Sequence, residues 1–289
     1  MILVTGANGH FGGITIDELL QKGVNAASIA ALVRSEEKGQ ALRAKGIQVR
    51  IGDYNDPASL QTAFQGVEKL LLVSGTELAQ RSQQQENVVH AAKKAGVHHI
   101  VYTSVERKSE GSDSPIAFIA DSHLHTEKAI LASGIPYTIL RNNLYLDYLP
   151  ALLGSKVTET GVRVPVLKSG AGMALRSDMA AAAANVLIQE GHLNKSYHIS
   201  ADPVTYEEIA VFISETIGKT ITATAVTLNE YIQLLVAGGF PEDHATGFSG
   251  FAVAIGNGEL LAENPDLERI LGRKPVSAKE FITTVYSKL

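Results

Sequence analysis

The sequence predicts an α/β protein built on a doubly wound parallel sheet, with a smaller mixed lobe at its C-terminal end. Three observations predict it: strand-like apolar runs alternate with helically spaced segments through the first half, a glycine-rich turn joins the first run to the first helix, and the rhythm breaks after Leu149-Pro150. Alternation of this kind calls for a parallel sheet, because each strand returns through a crossover helix that covers one face.

Six strands are expected in the first half, at residues 2–5, 29–33, 47–51, 69–73, 99–103 and 136–140. The stretches between them carry helical spacing: Ile14, Ile16, Leu19 and Leu20; Leu60, Ala63 and Phe64; Val88, Val89, Ala91, Ala92 and Ala95. Beyond residue 150 a strand is expected at 163–167, then a helix capped by Ser177 or Asp178 and running to about Glu190 through five consecutive alanines. A strand at 196–200 follows, and Thr205 with Glu208 three residues later forms a capping-box pattern. Residues 237–258 hold six glycines and no strong period, which predicts a loop or short helices near a mouth. The expected division is a nucleotide-binding unit at 1–150, completed by segments of 161–200, and a smaller substrate-capping lobe at 151–289.

The chain has 289 residues and 45% hydrophobic residues, enough to bury a sizeable core. With no cysteine it offers no disulfide, no thiolate nucleophile and no zinc-thiolate or iron–sulfur ligand. A net charge of −5, with no basic cluster larger than Lys93-Lys94, argues against nucleic-acid binding. No apolar run reaches the ~18 residues of a membrane span and the first residues resemble no targeting signal, so a cytoplasmic protein with no membrane partner is expected.

The strongest local signal is Thr5-Gly6-Ala7-Asn8-Gly9-His10-Phe11-Gly12, a G-x-x-G-x-x-G turn between the first strand and the first helix. Glycines there let the backbone approach a pyrophosphate, and the free N–H groups and dipole of the helix start favour its charge. This context predicts a Rossmann-type dinucleotide-binding fold; the competing reading is an ordinary tight turn. Where NAD-binding chains place a carboxylate at the end of the second strand, this one has Arg34. An arginine meets a ribose 2′-phosphate with charge-assisted hydrogen bonds, and Lys38 adds a second cation, so the expected cofactor is NADPH. Asp53 and Tyr54 end the third strand and Ser74 and Gly75 the fourth, at the carboxyl edge where such sheets bind ligands.

Many reductases of this class place a tyrosine four residues before a lysine to protonate a developing alkoxide. None of the nine tyrosines has a lysine at that spacing, which favours an acceptor whose reduced form is weakly basic, such as a quinone. His123 and Glu127 stand four apart where the dyad would fall, and two readings remain open: His123 as proton donor, or as a structural histidine bonded to Glu127. The nine histidines have no metal-binding spacing, so no metal is expected. After the sixth strand, Asn142 is expected to bond the nicotinamide or the substrate oxygen, with Asn143 and Tyr145 on the substrate side. The competing reading of these amides is turn and helix-capping duty.

The cradle at Thr5 to Gly12, Val33-Arg34 with Lys38, Gly52-Asp53-Tyr54, Tyr102-Thr103-Ser104, His123 with Thr126-Glu127, and Leu140-Arg141-Asn142 together resemble the type 2 NAD(P)H:quinone oxidoreductases. These stand, with triphenylmethane reductase, among the NmrA-like atypical short-chain dehydrogenases. The resemblance implies that Gly6, Asn8, Gly9, His10, Phe11, Gly12, Arg34, Asp53, Tyr54, Ser74, Gly75, Thr103 and Ser104 line NADPH, with Asn142 near the nicotinamide. It also implies direct hydride transfer to a quinone-like acceptor without flavin. Asn8 replaces a common threonine, and no bulky aromatic precedes Tyr145. A second function class stays open, an NmrA-like redox sensor that binds NADP(H) and regulates a partner without turnover. A sugar-nucleotide epimerase is disfavoured by the missing tyrosine base.

Overall fold

The computed structural model describes residues 1–287. The first half alternates strictly: β1 (Ile2–Val4), α1 (His10–Gln21), β2 (Ile29–Val33), α2 (Glu36–Ala44), β3 (Gln48–Ile51), α3 (Pro57–Ala63), β4 (Lys69–Leu72), α4 (Arg81–Ala95), β5 (His99–Val105), α5 (Ala117–Ser133) and β6 (Tyr137–Asn142). All pair in parallel in the order β3-β2-β1-β4-β5-β6, and the strand Lys195–Ile199 completes a seven-stranded sheet beside β6. This is the doubly wound Rossmann arrangement, with the order reversing between β1 and β4.

Alternate residues of each strand serve opposite faces, which is why the strands read as continuous apolar runs. Val4, Ala31, Leu71, Val101 and Leu140 pack with Phe11, Ile16 and Leu19 of α1 and with the helix Arg176–Ile188. Leu3, Leu32, Leu70, Leu72 and Tyr102 pack on the other face with Leu60 of α3, Val88 and Val89 of α4 and Ile130 of α5. The outer edge of the sheet is covered: Asp266 accepts the His198 N–H at 3.0 Å and donates its own N–H to the His198 carbonyl at 2.7 Å. That leaves His198 no free backbone group with which to recruit another strand.

Several expectations need correction. Strands β5 and β6 run on to Val105 and Asn142, in register with each other, so Ser104 and Asn142 lie within strands rather than beyond them. Neither Ser177 nor Asp178 caps the helix Arg176–Ile188, which starts after Leu175 with no side-chain cap. Asp178 is instead buried and accepts from Arg273 at 2.7 Å and from the Val276 N–H at 2.8 Å. The strand expected at 163–167 is only Val162–Val164, because its parallel partner is the three-residue Ala223–Ala225.

The glycine-rich run forms one long helix, Glu242–Asn257, and not a loop. Its glycines are contact points: a Cβ at Gly250 would stand 2.5 Å from the Pro115 carbonyl oxygen, and one at Gly256 2.2 Å from that of Val166. The lobe core gathers Leu149, Leu152, Tyr206, Ile209, Tyr231, Ile255 and Ile282. The capping box at Thr205 is present, and the same device opens the helices Leu228–Ala237 and Ala278–Tyr286 at Thr227 and Ser277. No described helix is long and apolar enough to cross a membrane.

Candidate functional site

The carboxyl ends of β1 and β4 flank the point where strand order reverses, which is where open α/β sheets bind ligands. Gly6 turns the chain there with φ +58°, a conformation that favours glycine, and its carbonyl accepts the Gly9 N–H at 2.9 Å. A Cβ on Gly12 would stand 2.4 Å from the Gly6 carbonyl oxygen, so α1 can approach the turn this closely only with glycine. Helix α1 begins after Gly9 with no side-chain cap and no acid in its first turn. Its leading N–H groups therefore face an anion site unopposed. Asn8, Gly9 and His10 are exposed on the turn, while Phe11 and Gly12 are buried.

Hydroxyl groups fix the neighbouring loop. Thr5 Oγ1 accepts the Val73 N–H at 2.9 Å, and Thr103 Oγ1 accepts the Ser74 N–H at 2.9 Å. Gly75 donates its N–H to Gln85 Oε1 at 3.3 Å, so the backbone after β4 is held from both adjacent strands and from α4. Asp53 is half-buried and accepts the Asn55 N–H at 2.8 Å, and burial raises the pKa of the adjacent Tyr54 phenol. Arg34 emerges exposed at the end of β2 with a guanidinium nitrogen 3.6 Å from Glu77, and Lys38 lies exposed one turn further on, in α2.

At the end of β6 two adjacent asparagines behave oppositely. Asn143 spends its whole amide inside the fold: Nδ2 donates to Ser200 Oγ at 3.0 Å and to the Leu260 carbonyl at 2.7 Å, and Oδ1 accepts the Leu144 N–H at 2.8 Å. It is a clamp between strand end and lobe, with the turn duty that is its competing reading. Asn142 is 3% exposed, and neither Nδ2 nor Oδ1 has a partner. An orphaned buried amide costs ~1–3 kcal/mol, so a ligand that satisfies it gains a strong positioning contact.

His123 and Glu127 do not pair. Arg81 Nη1 reaches His123 Nε2 at 3.0 Å, and arginine can only donate, so Nε2 accepts and the proton sits on Nδ1, 2.7 Å from the Tyr102 hydroxyl. Burial first, then the Arg81 and Arg107 charges, push His123 down to about 3. A neutral imidazole with both nitrogens committed is no acid at neutral pH, so the structural reading fits, with Arg81 and Tyr102 in place of Glu127. The Glu127 carboxylate receives both Arg107 nitrogens at 3.0 and 2.9 Å, Arg141 at 3.0 Å and the Ser104 hydroxyl at 2.5 Å. Burial pushes its pKa up, but the Arg107 and Ser104 bonds and the Arg107 and Arg141 charges hold it at about 2. Ser104, expected beside the cofactor, therefore has its hydroxyl turned to the α5 side and engaged there.

An aromatic wall rises from the cradle. Phe11 meets Tyr145 at 6.3 Å between ring centroids, Tyr145 meets Tyr148 at 6.0 Å, Tyr148 meets Phe248 at 5.7 Å, and Phe248 meets Phe240 at 5.2 Å. The Arg176 guanidinium stacks over Tyr145 at 4.7 Å and Tyr148 at 5.1 Å. Burial pushes the Tyr145 phenol up to about 12, with the nearby Asn142 amide and Arg176 pulling the other way.

The NmrA-like family model matches residues 1–284 of the chain. The chain belongs to the NmrA-like family. It is 38% identical to quinone oxidoreductase 2 of Escherichia coli (strain K12) over 99% of either chain. The crystal structure of NADPH-dependent quinone oxidoreductase from Escherichia coli complexed with NADPH matches with a TM-score of 0.90 at 36% identity, covering 99% of this chain and 100% of that one. Citrobacter sp. triphenylmethane reductase complexed with NADP(H) matches equally, with a TM-score of 0.90 at 39% identity and the same coverage.

Within this NmrA-like chain, sequence reasoning missed Tyr148, Phe240, Phe248, Arg176 and Arg81. A signal existed for one part of the wall: Phe248, Phe251, Ala252 and Ile255 follow helical spacing inside the glycine-rich run. Arg176 had no sequence signal, because its stacking depends on the segment 170–176 returning beside Tyr145, which bridges to Ala174.

Proposed function

We propose that this NmrA-like chain is an NADPH-dependent reductase of quinones and similarly conjugated acceptors. The observation that carries the reading is the contact of Phe11 with Tyr145: the first helical turn of the dinucleotide cradle also begins the aromatic wall. A flat acceptor laid on that wall is adjacent to whatever the cradle holds.

The residues fit NADPH. The turn leaves no room for a Cβ at Gly12 and little at Gly9 and offers the α1 terminus, with no side-chain cap, to the pyrophosphate, and Arg34 with Lys38 suits the 2′-phosphate. Asp53, Tyr54, Ser74, Gly75 and Thr103 line the rest of the crevice, and the Asn142 amide suits the nicotinamide carboxamide or the acceptor oxygen. Bound there, NADPH supplies a hydride to the acceptor.

The rest of the chemistry belongs to side chains. Asn142 positions one reactant through an amide that makes no hydrogen bond within the fold and has the Tyr145 phenol beside it. Tyr145 and Tyr148 present ring faces to the acceptor, and Phe248 extends them from the residues after 150, which act as the cap. No acid is called on: His123 is an acceptor at Nε2, and burial makes the Tyr145 phenol a weaker acid than a free one. That matches an acceptor whose reduced anion is weakly basic and takes its proton from water. Transfer is direct in this proposal, without flavin or metal; among the described residues no group of three His, Asp or Glu is placed to hold a metal ion.

NADPH consumption tests it, with 1,4-naphthoquinone against cyclohexanone and an absorbance spectrum of the purified protein. Turnover with the quinone alone and no flavin band is expected. Equal rates on the ketone, or a bound flavin, would reject the mechanism, and tight NADPH binding with no quinone turnover would favour the sensor role.

A further inference from the structure

We infer that Arg176 makes the acceptor site selective for conjugated acceptors that carry a negative charge, such as a sulfonate or carboxylate on the ring system. The inference rests on the proposed reductase reading and names the substrate class within it.

The guanidinium lies over two rings of the wall, Tyr145 and Tyr148, at cation–π distance. Stacking of this kind fixes the plane of the group while leaving its edge N–H donors free for hydrogen bonds. Arg34, Arg107, Arg141 and Arg273 each pair with a carboxylate. Arg176 stands in no ion pair among the described residues and is half-buried.

Neither Asp178, two residues on, nor Asp147, which meets the Arg176 backbone, forms an ion pair with the guanidinium. Asp178 is buried against Arg273 and the Val276 N–H. Asp147 spends Oδ2 on the Arg176 backbone N–H at 2.8 Å, which holds the backbone in place and offsets part of the local positive charge. Asp147 occupies the first N–H of the helix that Arg176 begins and Asp178 stands in its first turn, so the positive potential here is that of the guanidinium itself and not of the helix dipole. An aromatic surface with a planar cation stacked on it fits a flat anion: the ring lies on Tyr145 or Tyr148, and the anionic group meets the guanidinium edge. The same field opposes a cationic dye.

The test compares 1,2-naphthoquinone, 1,2-naphthoquinone-4-sulfonate and the cationic dye malachite green as acceptors for wild type, Arg176→Lys, Arg176→Gln and Arg176→Glu. The wild type is expected to favour the sulfonate over the neutral quinone in kcat/KM. That ratio should fall about tenfold in Arg176→Gln, fall further in Arg176→Glu and be partly kept in Arg176→Lys, while the preference for malachite green rises in the same order. A binding readout accompanies it: titration of the NADP⁺-saturated protein with 2-naphthalenesulfonate, which cannot be reduced, should weaken in parallel. Ratios that stay constant across the four proteins would overturn the inference, as would a loss of NADPH affinity matching the loss on the sulfonate, which would move Arg176 to the cofactor. If wild type reduces neither quinone, the reductase reading fails, and the titration alone then decides whether Arg176 binds aromatic anions.

Discussion

The Arg34 guanidinium lies 3.6 Å from a Glu77 carboxylate oxygen, which ties the end of β2 to the loop after β4. Gln84 steadies Glu77 by donating to its other oxygen at 2.9 Å. Both ends of the ion pair are more than half exposed, at 62% and 51%, so it is weak and open to a stronger anion. A 2′-phosphate is such an anion. Arg34→Ala should weaken NADPH by roughly ten- to a hundredfold, the cost of about 1.5–3 kcal/mol for a lost charge-assisted bond, while NADH changes little. Glu77→Gln should act in the opposite sense and tighten NADPH a few-fold by freeing Arg34. Dissociation constants for both cofactors check this; equal losses for NADPH and NADH in Arg34→Ala would remove Arg34 from the phosphate site.

Asn142 invites a test in which stability and activity part company. Its amide has no partner, so Asn142→Ala removes an unsatisfied buried group and should leave the unfolding midpoint unchanged or raised. Activity should nevertheless fall by about 10²-fold, because misplacing a reacting atom by about 1 Å costs that much. Asn143→Ala should reverse the pattern and lower stability by ~1–3 kcal/mol, since Ser200 and the Leu260 carbonyl lose their partner. Chemical unfolding beside steady-state kinetics separates the two.

For His123 the expected loss in His123→Ala is smaller than the ~10²- to 10⁴-fold of an essential acid, measured as kcat with a quinone at saturating NADPH. Deuterium at C4 of the reduced nicotinamide should slow turnover if hydride transfer limits it, and chelators should have no effect.

Acidification should destabilise the fold in two windows. His123 titrates at about 3 when folded against 6.5 in the unfolded chain, so between those values the unfolded state binds a proton that the native state refuses. Stability is therefore complete above pH 6.5 and declines below it, by about 2 kcal/mol near pH 5 from this group alone. His99, pushed down to about 4 by burial and by Lys69, adds to the same slope. Glu127, held at about 2, contributes stability that is present above its unfolded value of 4.5 and lost as pH falls toward 2. Urea midpoints at pH 7 and pH 5 should differ less in His123→Gln, whose carbonyl keeps an acceptor for Arg81, than in wild type.

Two glycines of the helix Glu242–Asn257 should respond to alanine with opposite signs. At Gly247 the nearest atom to an added Cβ is Phe118 Cε2 at 4.0 Å, so Gly247→Ala should stabilise by about 0.5–1 kcal/mol through helix propensity. At Gly256 the Val166 carbonyl oxygen stands 2.2 Å away, and the same change should cost ~1–3 kcal/mol. Thermal midpoints of the two variants check the contrast.

These contrasts mark what the sequence could convey. The parallel sheet was legible because strands buried on both faces read as apolar runs, and the cradle because its glycines obey a local steric demand that no distant residue changes. Asn142 and Asn143 could not be told apart from their order: the difference lies in Ser200 and Leu260, 57 and 117 residues away from Asn143. His123 and Glu127 fit a helix-face pairing rule, but arginines from α4, β6 and the loop after β5 take up both side chains instead. The long helix was hidden because its glycines serve close approach to Pro115 and Val166, which propensity reads as breakage.

The strand Lys195–Ile199 reaches the sheet only after the chain has left it for more than fifty residues, yet Thr138 through Asn142 of β6 depend on it for their outer partners. On a ribosome this order matters. Until residue 199 emerges, β6 is a bare parallel edge ending at the orphaned Asn142, a template for any passing strand. A nascent chain stalled near residue 150 should therefore expose an association-prone edge beside Asn142, the residue proposed to position the reactants, and chaperone demand should peak within that interval of synthesis.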